Sequence, residues 1–166
     1  MSERPLTPEL ELMQVLWAVD HALDQLSHRM EREVGLTGPQ RLVVRLLGHS
    51  PGAAPGELAR MLHLHAATVT GILKRLEARG LVERAPDPWD RRRSQVRLSK
   101  KGRKYDAPHP HTVEAAVGRV LARMSRQEVA AARQVLVALQ QELTAEPAVK
   151  TRGRSARAAP RRAPSR

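Results

Sequence analysis

The chain has 166 residues, about one domain's worth, and its 29 Lys and Arg against 17 Asp and Glu give a formal charge of +12 that points to nucleic acid or another anionic surface as partner. With no cysteine, disulfides, thiolate metal sites and thiol-based redox sensing are excluded, and with only Trp17, Trp89 and Tyr105 as aromatics there are few platforms for stacking single-stranded bases, so double-stranded DNA fits better. No run approaches the roughly 20 apolar residues of a membrane span, and the start "MSERPLTPELEL" lacks the basic-then-apolar order of a signal peptide, so a cytoplasmic protein with no membrane partner is expected.

A helical pattern runs from Pro8 to about Val34, with Leu12, Leu16, Val19, Leu23, Leu26 and Met30 spaced as a heptad seam that calls for a partner. "GPQRLVVRLLGHS" predicts a second, short helix opened by Pro39, with Leu42, Leu46 and Leu47 on one face and Gly48 and Ser50-Pro51-Gly52 as its stop. "APGELARMLHLH" predicts a third of about two turns, with Leu58, Met61 and Leu62 as its apolar stripe. In "AATVTGILKRLEARGL" the set Val69, Ile72, Leu73 and Leu76 falls at i, i+3, i+4, i+7, and Gly80 ends this fourth helix. Two short helices joined by a tight turn make a helix-turn-helix.

After Gly80 the period changes from 3.6 to 2. "LVERA" and "SQVRLS" read as strands, and the seven residues from Asp87 to Arg93 form a projecting loop able to reach about 10 Å. This is a wing, and its tip in "PDPWDRRRSQVRLS" sets three arginines side by side, where they repel one another unless something anionic receives them. Ser99 can cap a fifth helix through "SKKGRKYDA" that Pro108 and Pro110 interrupt. Helical spacing resumes at Val113, Val117, Val120 and Met124, and again after Ser125 at Val129, Ala132, Leu136, Leu139 and Leu143, which predicts a C-terminal hairpin with a seam on each helix. From Pro147 onward there are seven Lys or Arg and no acid, a composition expected to remain a disordered basic tail. Setting those seven aside leaves +5 on residues 1–146, so the folded part is basic by itself.

The run "ELARMLHLHAATVTGILKRLEARGLVERAPDPWDRRRSQVRLSKKGR", residues 57–103, closely resembles the winged helix-turn-helix core of the MarR family of bacterial transcriptional regulators. "ELA", "TVTGILKRLEARGLVER", "DPWDRR" and "LSKKGR" carry the likeness, and the helical layout on either side extends it to roughly residues 8–144. The resemblance implies a mostly helical α+β chain: a dimerisation helix at 1–36, a winged helix-turn-helix with a two-stranded wing at 37–99 and dimerisation helices at 100–146; the basic tail at 147–166, read from its composition, lies outside the resemblance. It implies a homodimer whose first and last helices interlock, and a repressor, or sometimes an activator, that answers to small and often aromatic or phenolic effectors.

On a wheel of the fourth helix, the face opposite Val69, Leu73 and Leu76 carries Ala67, Thr70, Gly71 and Lys74, flanked by Thr68 and Arg75. Small side chains let the backbone approach the major-groove floor, where Thr hydroxyls meet base edges or phosphates and methyls meet thymine. Family members commonly carry larger polar or basic residues at the positions of Ala66 and Gly71, which shifts weight here toward shape and phosphate contacts. His65 stands where the family often has a capping serine, and is read as a helix-start residue or phosphate donor. Asp90, Arg91 and Arg92 match the family's wing motif. A carboxylate two residues before a guanidinium can aim it, so that Arg91, Arg92 and Arg93 enter the minor groove or meet phosphates. Two subunits would place recognition helices about 34 Å apart on a pseudo-palindromic operator.

Trp17 and His21, one turn apart, are candidates to face the effector cavity the family forms; an interface tryptophan beside a solvent-side histidine is the competing reading. Lys100, Lys101, Arg103 and Lys104 fit a solvated face or phosphate contact equally. The histidines at 63, 65, 109 and 111 lack grouped carboxylates, so no metal and no cofactor is expected. No nucleophile elbow, phosphate loop, HExxH or paired catalytic carboxylate is found, which argues against an enzyme. The alternative function is a nonspecific or architectural DNA-binding protein relying on its basic tail.

Overall fold

Three of the helices begin with a proline at one of their first two positions, where its missing N–H costs nothing because that donor has no intrahelical partner in any case. These are α1 (Pro8–Glu33), α2 (Gly38–His49) and α3 (Pro55–Leu62), followed by α4 (Ala66–Ala78), β1 (Val82–Pro86), β2 (Ser94–Leu98), α5 (Gly102–Tyr105), α6 (Val113–Leu121) and α7 (Arg126–Thr144). The computed structural model describes residues 5–86 and 94–145. Asp90, Arg91, Arg92 and Arg93 at the wing tip, and the tail from 147, lie outside the described residues. The chain divides into two compact units, Met1–Arg123 and Met124–Arg166.

In the first unit the core is built from one face of each short helix and the inner face of the sheet: Leu36, Val43, Val44, Leu47, Leu58, Val69, Ile72, Leu73, Leu76, Leu81, Val82, Val96 and Leu98. Each fully buried Leu or Val contributes about 1.5–3 kcal/mol. All four apolar residues expected to anchor α4 are in this set. On α2 the buried face is Val43, Val44 and Leu47, while Leu42 is half exposed at 50% and Leu46 is partly covered. On α3 the covered residues are Leu58, Ala59 and, in part, Leu62, and Met61 points outward. Both differences arise because a two- or three-turn helix buries a narrow arc, and Val44 and Ala59 are better centred on it than Leu42 and Met61.

Strands β1 and β2 pair antiparallel from Val82 opposite Leu98 to Pro86 opposite Ser94. A third stretch lies along the other edge of β2: Gly52 N–H donates to the Val96 carbonyl at 3.0 Å and Val96 N–H to that of Ala53 at 3.1 Å. Gly52 has φ +87, a conformation that favours glycine. Helix α5 is one turn only. Its N-cap position is taken by Lys101, and three residues ahead of the helix Ser99 Oγ accepts from Gly102 N–H at 2.9 Å and donates to the Gly80 carbonyl at 2.7 Å. The helix ends at Tyr105, before both prolines.

Helix α1 buries only Met30, leaving Leu12, Val19 and Leu23 of its seam exposed and Leu16 and Leu26 half covered. Val117, Val120 and Leu121 of α6 are exposed as well. In the second unit, α7 begins with a capping box between Ser125 and Glu128, and Val135, Leu136, Val137 and Leu143 are exposed along it.

Candidate nucleic-acid interface

The turn into α4 is tight: His63 takes a left-handed conformation with φ 52 at the end of α3, and α4 begins three residues later. His65 occupies the N-cap position, but its side chain makes no capping hydrogen bond and the residue is exposed, so the imidazole is not tied to its own helix. With Val69, Ile72, Leu73 and Leu76 turned into the core, Ala67, Thr68, Lys74 and Arg75 are exposed and Thr70 and Gly71 are half-buried. Thr70 Oγ1 donates to the Ala66 carbonyl at 2.8 Å, so its proton is committed and its lone pairs remain to accept from a base amino group. A Cβ placed on Gly71 would meet no atom within 4 Å, so packing within the chain does not require glycine there.

The base of the wing is fixed to this helix. Arg84 on β1 binds Glu77 on α4, Lys101 Nζ donates to the Arg79 carbonyl at the helix end at 2.9 Å, and Gly80 turns the chain with φ +68. The ladder of the two strands runs out to the pair Pro86 and Ser94.

Sequence reasoning missed a buried ionic joint. Arg41 on α2 is 2% exposed. Its Nε donates to Glu114 Oε1 at 2.6 Å, Nη1 to the Tyr105 carbonyl at 2.6 Å and Nη2 to the Ala107 carbonyl at 2.9 Å. One turn on, Arg45 Nη1 bonds Asp106 through both its carbonyl and Oδ1, the latter at 2.6 Å. Burial works against ionisation of Glu114 and is the largest single influence on it. The Arg41 hydrogen bond, the backbone, the Arg41 charge and the Thr112 hydroxyl together outweigh it, so the carboxyl sits below its ordinary value. The signal available in the sequence was two arginines four apart inside an apolar run, a spacing that places both on one helical face.

Trp17 is 64% exposed, and His21, also exposed, is hydrogen-bonded to Gln25 at 2.8 Å. A shallow hollow lies elsewhere, bounded by Ser50, Pro51, Gly52, Ala53, Glu57, Arg60 and Met61. His111 pairs with Glu33 at 2.9 Å, and among the described residues no group of three His, Asp or Glu is placed to hold a metal ion.

Residues 34–93 match the profile of the MarR family. The HTH-type transcriptional regulator TtmR of Methylorubrum extorquens is 36% identical over 121 residues, which are 70% of this chain and 62% of that protein, so the chain spans a little under two thirds of that relative's length. The transcriptional regulator HosA of Escherichia coli O111:H- is 34% identical over 113 residues, 65% of this chain and 84% of that protein. The crystal structure of Streptococcus pneumoniae FabT in complex with DNA superposes with a TM-score of 0.61 at 25% identity, covering 81% of this chain and 96% of that one.

Proposed function

Because the chain belongs to the MarR family, we propose that it is a sequence-specific, double-stranded-DNA-binding transcriptional regulator. The observation that carries the proposal is the outer face of α4, where small residues and exposed cations share one surface beside a wing whose strands are tied to the same helix. Such a surface lets a backbone lie near the major-groove floor while Lys74 and Arg75 neutralise flanking phosphates. His65, Ala67, Thr68, Thr70, Gly71, Lys74 and Arg75 are the proposed major-groove set. The wing would add Arg91, Arg92 and Arg93, aimed by Asp90, in the minor groove. That the family relatives are regulators, and that FabT has been crystallised on DNA, supports this reading.

The working form we propose is a homodimer. Exposed apolar edges on α1, α6 and α7 would be costly in water, and a second copy supplies a matching surface by symmetry. Repression by occupancy of a pseudo-palindromic operator, and release by a small-molecule effector, complete the reading, with Trp17 and His21 as candidate effector contacts. Selection of bound duplexes from a random pool at about 0.15 M salt tests it. Recovery of an inverted repeat with half-sites about one helical turn apart is expected. If a chain truncated after Glu146 loses affinity equally for every duplex, the tail-driven architectural alternative holds instead.

A further inference from the structure

The ionic joint at α2 lies at a mechanically particular place. Residues 105–107 are the chain's exit from the winged half and its approach to α6, and three positions on one face of α2 hold that stretch. Arg41 grips the carbonyls of Tyr105 and Ala107 and the carboxylate of Glu114, which is already on α6. Arg45 grips Asp106. At Gly48 the helix comes so close that a Cβ would overlap the Asp106 carboxylate. The bonds are directional and charge-assisted, and Arg41's guanidinium is shielded from water, so the joint resists bending more than apolar packing of the same size would.

We propose that Arg41 and Arg45 are positioning residues that fix the angle between the DNA-reading half and α6, and thereby set the half-site spacing the protein accepts on DNA. The inference rests on the homodimer reading, in which α6 belongs to the paired helices. The two recognition helices then sit at the ends of a frame whose stiffness depends on this joint. A rigid frame discriminates sharply among spacings, because each inserted base pair moves one half-site about 3.4 Å along and about 34° around the axis. A loosened frame follows the displacement at lower cost. Neither arginine needs to touch DNA.

The test uses the full chain, the duplex selected by the parent protein, and the same duplex with one base pair inserted at its centre. Glu114→Gln and Arg45→Gln are made singly and together, since these residues are partly exposed and their loss spares the fold more than loss of Arg41 would. Thermal melting and sedimentation report folding and pairing. For the parent, the insertion is expected to weaken binding about tenfold or more; for the double variant, about threefold or less. A purely structural role would lower the active fraction on both duplexes and leave that ratio unchanged, which overturns the proposal. So does a parent chain indifferent to the insertion. A monomeric parent would instead refute the homodimer reading on which the inference rests, and the inference would fall with it.

Discussion

Gly71→Ala separates what the fold needs from what DNA binding needs. The residue lies inside α4, its Cβ would meet no atom within 4 Å, and its backbone is helical. Glycine in a helix interior is about 0.8–1 kcal/mol less favourable than alanine, so the substitution is expected to stabilise the chain by nearly that amount and raise its melting temperature by about 2–4 °C. On the outer face of α4 the same methyl would hold the helix off the groove floor. A loss of about 1 kcal/mol there corresponds to roughly fivefold weaker operator binding. Melting by circular dichroism and anisotropy titration of the selected duplex read the two effects independently. A fall in melting temperature would mean that Gly71 is packed after all. A rise with unchanged affinity would mean that this face does not meet DNA. Gly80→Ala is the contrast: space is equally open there, but φ is +68, so it is expected to destabilise by about 1 kcal/mol.

Gly102→Ala is expected to cost about 1–3 kcal/mol in denaturant unfolding, because its Cβ would overlap the Leu81 carbonyl. Arg41→Met removes a buried cation, leaving the Tyr105 and Ala107 carbonyls without that donor and Glu114 without its counter-charge, so a loss of about 2–4 kcal/mol is expected by the same measurement. Glu114 gives a pH dependence of defined sign. Its folded carboxyl lies below the ordinary 4.5, so its stabilisation is full above that value and is lost as the pH falls through the folded one. As the pH falls below that ordinary value the parent should therefore lose more stability in the same measurement than Glu114→Gln does. Arg92→Ala should weaken operator binding by about 1–3 kcal/mol, with Asp90→Ala causing part of that loss, as measured by titration at fixed salt.

The elements most legible in the sequence were those whose pattern and burial coincide. The four apolar residues of α4 recur at helical spacing and all reach the core, and the change of period after Gly80 marked the strands within a residue of their bounds. Helix α2 was legible as a helix but misread in its facing. Hydrophobicity assigned Leu42 inward, yet Leu42 is half exposed while Arg41 is fully enclosed. What makes that inversion favourable is a set of acceptors 64 to 73 residues further along the chain, which no local pattern contains. The edge contact of Gly52 and Ala53 with β2 was missed for a related reason: two backbone hydrogen bonds leave no periodicity to detect. Of the candidate DNA contacts, those on α4 share one exposed or half-exposed side of the helix, and those on the wing tip fall outside the described residues.

The most direct measurement is the stoichiometry and selectivity of the complex, read by sedimentation of the full chain with its selected duplex and with a scrambled duplex of equal length at about 0.15 M salt. Two chains on the selected duplex, bound about 1,000-fold or more tightly than on the scrambled one, is the expected result. One chain per duplex, or equal binding to both, would contradict a paired protein that reads sequence.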